Sequence, residues 1–130
     1  MQVGLLEDDI AIQEMFLLVL QDEGHTVLNF SDAESCLRIL GVSTQEFGQV
    51  AVDLMIVDWR LGGTLLGTEV IRQIRRDPRM NNLPIILTTA AIFHDTETLN
   101  SLHISLLEKP FSVDEVTSLI KELTSQPSSL

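Results

Sequence analysis

Asp53-Leu54-Met55-Ile56-Val57-Asp58 sets four consecutive apolar residues between two aspartates. A run that is apolar at every position, rather than at alternate ones, suits a strand covered on both faces. Such strands belong to parallel sheets with helices above and below. Asp58 then stands at the carboxyl end of a central strand, where open α/β sheets bind their ligands. Outward from this run, Gln2 to Leu6 is a second apolar segment and opens onto Glu7-Asp8-Asp9. His25 to Phe30, Pro84 to Thr88 and a shorter Ile104 to Leu107 read as further strands.

Helical periods fill the intervals. From about Asp9 to Glu23, Ile12, Met15, Phe16, Val19 and Leu20 recur at the helical spacing, and Gly24 follows where a left-handed residue ends a helix. Ser31 or Asp32 can cap a second helix whose Ala33, Cys36, Leu37 and Leu40 share a face. Gly41 to Val52 has no clear period and reads as a connector. A glycine-rich turn, Gly62 to Gly67, leads into a third helix through Val70, Ile71 and Ile74, which Asp77-Pro78 stops. Thr96 to Leu102 is a weaker helix. Ser112-Val113-Asp114-Glu115 is a capping box for the last one, packed through Val116, Leu119, Ile120 and Leu123. Strict alternation predicts a doubly wound, three-layer α/β domain with five parallel strands and five helices over residues 1–124, and a loose polar tail over 125–130.

The chain has 130 residues, 45% of them hydrophobic, enough for one domain with a real core. Its single cysteine, Cys36, excludes an internal disulfide and suits a reducing cytoplasm. The opening residues lack the basic and apolar regions of a signal peptide, and no apolar run approaches the ~18 residues of a membrane span. The expected location is therefore cytoplasmic, with no membrane association. A formal net charge of −11 opposes direct nucleic-acid binding by this domain. Arg72, Arg75, Arg76 and Arg79 form a local basic patch, read as a solvated face. His25, His94 and His103 share no metal spacing.

The chemistry gathers at the strand ends: Glu7-Asp8-Asp9 after the first, Asp58 after the third, Thr88-Thr89 after the fourth and Lys109-Pro110 after the fifth. Adjacent carboxylates repel one another unless a cation intervenes, and an oxygen-rich set of this kind suits Mg²⁺. A lysine and a threonine across the site can meet the oxygens of a phosphoryl group, with a carboxylate as nucleophile. Asp9 reads instead as an acid at the helix N-terminus, favoured by the helix dipole.

In order and spacing these residues resemble the receiver domain of two-component response regulators. Val3-Gly4-Leu5-Leu6-Glu7-Asp8-Asp9 is similar to that family's acidic pair, with Glu7 and Asp8 as the pair. The run ending in Asp58 resembles its phosphoacceptor strand. Pro84-Ile85-Ile86-Leu87-Thr88-Thr89-Ala90 aligns its hydroxyl position best on Thr89, and Leu107-Glu108-Lys109-Pro110-Phe111 resembles its lysine-proline element. The resemblance implies a flavodoxin-like sheet in strand order 2-1-3-4-5 and a phosphoryl group delivered to Asp58 by a histidine kinase or histidine phosphotransfer protein. It implies Mg²⁺ (or Mn²⁺) on Glu7, Asp8, Asp58 and the backbone carbonyl of Arg60. Thr89 and Lys109 would meet the phosphoryl oxygens. A downstream effector or fused output domain and a homodimer through the helix 4–strand 5–helix 5 face are implied partners. The domain would catalyse only its own phosphorylation and dephosphorylation.

Two departures stand out. Leu106 occupies the family's usual aromatic position, which implies that switching leaves by another surface or through weaker coupling. The turn after Asp58 lacks the common proline, and Arg60, two residues past the acceptor, has a side chain able to reach over the pocket. Rival classes are a phosphorylation-independent binding module and an aspartate-nucleophile phosphohydrolase. The latter normally places a second aspartate where Arg60 stands.

Overall fold

The computed structural model describes residues 1–30, 32–41, 51–61, 66–90 and 95–124. The elements run β1 (Gln2–Leu6), α1 (Ile10–Asp22), β2 (Thr26–Phe30), α2 (Ala33–Leu40), β3 (Leu54–Asp58), α3 (Gly67–Arg76), β4 (Ile85–Thr89), α4 (Thr96–Ser101), β5 (Ile104–Glu108) and α5 (Val113–Thr124). The strands form one parallel sheet in the order β2-β1-β3-β4-β5. The expected doubly wound sheet and its strand order are therefore present. Each strand lies within about a residue of its sequence reading. The central part of the 41–52 connector, most of the turn after Leu61, Ser31, His94 and the 125–130 tail lie outside the described residues.

β3 and β4 are buried at every position, as their unbroken apolar runs require. Alternation then sorts their side chains into two cores. Leu54, Ile56 and Ile86 join Val3, Leu5, Phe16, Leu20, Val116 and Ile120 beneath α1 and α5. Met55, Val57, Ile85 and Leu87 join Leu6, Cys36, Leu40, Val70, Ile71 and Ile74 beneath α2 and α3, with Leu99 and Leu102 packed at the margin. Fully burying each large apolar side chain contributes roughly 1.5–3 kcal/mol, so the sheet interior dominates stability.

The caps follow the sequence signals closely. Asp9 accepts from the amides of Ala11 (2.9 Å) and Ile12 (3.2 Å) and so begins α1. Asp32 accepts from Ser35 N at 2.7 Å at the start of α2. Ser112 and Glu115 exchange backbone-to-side-chain bonds at 3.1 and 3.2 Å before α5, the reciprocal pattern of a capping box. Gly24, at φ 85°, takes the left-handed conformation that turns the chain from α1 into β2.

Cys36 is 0% exposed on the core face of α2, and burial pushes its thiol up to about 12. The thiolate, not the thiol, is the nucleophile. Native protein at pH 8 is expected to resist iodoacetamide, with one equivalent incorporated only in denaturant, as read by intact mass. Rapid labelling of the native protein would show that α2 opens readily.

Candidate functional site

The carboxyl ends of β1, β3, β4 and β5 meet at one rim of the sheet. Register sets which side chains can meet: Leu6 lies opposite Val57, Asp58 opposite Thr88 and Thr89 opposite Glu108. Asp58 ends β3 at 6% exposure, and Glu7, one residue past β1, is 2% exposed. Lys109, one residue past β5, bridges them. Its Nζ is 3.3 Å from Asp58 Oδ1 and 3.4 Å from Glu7 Oε2. The Lys109 amide donates to the Thr89 carbonyl at 2.7 Å, which ties the start of the Lys109–Pro110 segment to β4.

Carboxylate oxygens of Glu7, Asp8 and Asp58 come within 4.8 Å of one another. Asp8 is exposed, while the other two are buried. Glu7 is further fixed by the Asp9 amide, which donates to Oε1 at 3.2 Å, and by the Gln13 side-chain amide, which donates to its carbonyl. Asp9 points into its own helix as the cap and stands apart from this cluster.

Burial, and then the charge of Asp58, push the Glu7 carboxyl up to about 7, although the Asp9 amide and Lys109 both pull it down. One ammonium therefore leaves the three carboxylates short of positive charge. A small divalent cation suits that deficit, because it accepts oxygen ligands and offsets carboxylate repulsion together.

The consequence for stability has a definite sign. Glu7 binds its proton more tightly in the folded state, about 7 against 4.5 for the free group, so its contribution is fully present below pH 4.5. It is lost as pH rises through 7. In EDTA, the melting temperature is expected to fall between pH 5 and pH 8, and Mg²⁺ is expected to restore it at pH 8. Glu7→Gln should flatten the pH trend. An equally steep trend in that variant would assign it elsewhere.

Both threonines at the end of β4 are buried. The Thr88 hydroxyl donates to Asp58 Oδ1 at 3.5 Å. Thr89, the residue favoured by sequence, alternates toward the face carrying Leu87 and Leu106, and Leu106 lies opposite Leu87 in the ladder. Thr88 was legible only as one of a pair.

The Arg60 guanidinium lies over the Trp59 ring, 4.7 Å from its centroid, and Trp59 packs on the α2–α3 core. The basic patch on α3 needs correction. Arg76 is exposed, but Arg75 is half-buried and donates to the carbonyls of Leu102 (2.8 Å), Met80 (3.0 Å) and His103 (3.2 Å). It is a structural tether between α3 and the α4–β5 turn rather than part of a solvated face. Arg79 pairs with Asp77 at 2.6 Å and donates to the Gly41 carbonyl at 2.8 Å.

A model of the response regulator receiver domain matches residues 3–121. The chain belongs to that family. A phosphate regulon transcriptional regulatory protein, PhoB of Pseudomonas aeruginosa, is 31% identical over 124 residues, covering 90% of this chain and 48% of the relative. The chain spans about half the length of the curated relatives it matches. Among solved structures, the receiver domain of a P. aeruginosa sensor histidine kinase, with magnesium coordinated in its active-site cleft, aligns at TM-score 0.80. It has 24% identity and covers 96% of this chain and 98% of that one. Chemotaxis protein CheY4 of Vibrio cholerae aligns at TM-score 0.80 and 20% identity, covering 94% and 97% respectively. The receiver domain thus has the two-component signalling fold, with an acidic cluster at the family's strand ends. Among the described residues, no helix is long and apolar enough to cross a membrane.

Proposed function

We propose that Asp58 of this receiver domain accepts a phosphoryl group from the phosphohistidine of a histidine kinase or histidine phosphotransfer protein. The reading rests on one observation: Asp58 is a nearly buried carboxylate at a strand end, its Oδ1 held by Lys109 and its flank shared with Glu7 and Asp8. An Asp58 oxygen bonds to phosphorus, the phosphorus–nitrogen bond breaks, and its electron pair stays on the donor imidazole. Glu7, Asp8, Asp58 and the backbone carbonyl of Arg60 would hold Mg²⁺ (or Mn²⁺), which supplies the charge that screens the carboxylates and the transferring oxygens.

Lys109 holds the carboxylate before transfer and turns its ammonium to the phosphoryl oxygens afterwards. Thr89, at the end of β4, supplies a hydroxyl to the product and links the site to the Leu106 face. With leucine there, coupling through β5 is weak, and output leaves through contacts other than an aromatic rotamer. The domain catalyses nothing beyond its own phosphorylation and dephosphorylation. A cleft of about 470 Å³ beside Lys109, lined in part by Ile12, Met15, Pro110 and Phe111, offers an apolar seat for the donor protein. A downstream effector or fused output domain receives the signal, and a homodimer through α4, β5 and α5 is one form it can take.

Intact-mass spectrometry after incubation with acetyl phosphate and Mg²⁺ tests the reading. One phosphoryl adduct is expected, absent in EDTA. If neither acetyl phosphate nor a phosphohistidine donor gives an adduct, the domain is a phosphorylation-independent binding module. Steady turnover of small phosphate esters would instead mark a hydrolase.

A further inference from the structure

The proposed reaction gives Thr88 no part, yet its side chain is fully buried at 0% exposure and its hydroxyl donates to Asp58 Oδ1 at 3.5 Å. Buried hydroxyls are satisfied by hydrogen bonds, and among the described residues the partner of this one is the acceptor carboxylate itself. Thr88 and Asp58 are direct partners across β3 and β4, both strands buried throughout. The ladder backbone therefore fixes the contact. Lys109 reaches the same oxygen at 3.3 Å, but from a long flexible side chain.

We propose that Thr88 shortens the life of the phosphorylated state by favouring Asp58 as a free carboxylate. The inference rests on Asp58 being the phosphoacceptor. In hydrolysis, a water oxygen bonds to phosphorus and the bond from phosphorus to the Asp58 oxygen breaks. Its electron pair returns to the carboxylate, inorganic phosphate leaves, and the proton of the attacking water passes to phosphate or solvent. Before this step the oxygen facing Thr88 is either the carbonyl or the bridging oxygen of an uncharged acyl group. Afterwards it is half of a carboxylate. A hydrogen bond to an ionised acceptor is about twice as strong as one to a neutral acceptor.

Thr88 therefore stabilises the product of hydrolysis, and the charge developing on the way to it, more than it stabilises the aspartyl phosphate. The sign is the same whichever Asp58 oxygen carries the phosphoryl group. Lys109 behaves differently, because its ammonium can follow the charge onto the phosphoryl oxygens. Thr88, seated in the ladder, keeps its hydroxyl on the carboxylate side. At 3.5 Å the bond is long, so the effect is modest, about two- to fivefold in rate.

Wild type, Thr88→Val, Thr88→Ala and Thr88→Ser are each loaded with acetyl phosphate and Mg²⁺ and freed of donor by gel filtration. Adduct decay is then followed by intact mass. Thr88→Val, which replaces the hydroxyl by a methyl group of similar size, is expected to hold its adduct about two to five times longer. Thr88→Ser, which keeps the hydroxyl, is expected to decay at the wild-type rate. Thr88→Ala provides a second hydroxyl-free chain should valine disturb packing. Decay at or above the wild-type rate in the hydroxyl-free variants overturns the inference and leaves the phosphoacceptor reading intact. Slowing shared equally by Thr88→Ser would trace the effect to packing and also overturn it. Wild type that takes no phosphoryl group from acetyl phosphate or a phosphohistidine donor removes both readings.

Discussion

Asp58→Asn is expected to take up no phosphoryl group and, in EDTA at pH 8, to melt higher than the wild type. Asparagine offers no anionic oxygen for transfer, so adduct should vanish with either donor. The gain in stability comes from the neighbours. Asp58 is, after burial, the largest influence raising the Glu7 carboxyl, and Lys109 is shared between the two. Neutralising position 58 leaves Lys109 paired with Glu7 alone and removes a like-charge contact. A rise of a few degrees, on the order of 1 kcal/mol, is the expected scale. The Glu7 carboxyl should then titrate closer to its ordinary range, and the fall in melting temperature from pH 5 to pH 8 should shrink. An adduct that survives in Asp58→Asn would place the acceptor elsewhere. A lower melting point at pH 8 would show that the three acids are already balanced.

Gly67→Ala is expected to damage both stability and phosphorylation. Gly67 opens α3, and its amide donates to the Trp59 carbonyl at 2.7 Å. A methyl group there would stand 2.2 Å from the Asp58 carbonyl oxygen and 3.0 Å from the Asp58 carbonyl carbon and Trp59 Cα. All three are backbone atoms, so no rotamer change relieves the clash. Either α3 or the end of β3 must shift. Overpacking of this kind costs about 1–3 kcal/mol, or roughly 4–12 °C in melting temperature for a domain this size. Because the shift falls on the proposed acceptor, the rate of adduct formation from acetyl phosphate should also drop, up to about a hundredfold for a displacement near 1 Å. A melting temperature and labelling rate equal to those of wild type would mean that the approach of α3 to β3 has slack. Gly4→Ala is the milder comparison. There the nearest atom is the Met55 sulfur, the end of a flexible side chain.

The architecture was readable because β3 and β4 are apolar at consecutive positions, and only a strand covered on both faces tolerates that pattern. Asp32 and the Ser112–Glu115 pair were readable as caps because capping is a local interaction spanning three or four residues, whereas Asp9 was readable only as an acid at a helix N-terminus. Glu7, Asp8, Asp58 and Lys109 were readable as one site because each lies at or just past the end of a parallel strand. In such a sheet these ends share one rim, and Glu7, Asp58 and Lys109 do meet there.

Contacts between distant segments were not readable in this way. Thr88 and Thr89 are chemically identical neighbours, and a slip of one residue in the β3–β4 ladder exchanges the faces they occupy. Four arginines near the end of α3 look like a solvated face because the partners of Arg75 are carbonyls around Met80 and at the α4–β5 turn, and a carbonyl has no sequence signature. The need for glycine at position 67 follows from a backbone approach between β3 and α3. Local propensity and burial pattern thus determined the layers, the caps and the acidic rim. Register and close backbone approach, which exist only after the strands pair and α3 docks, decided that Thr88 reaches Asp58, what Arg75 holds and how little room lies behind Asp58.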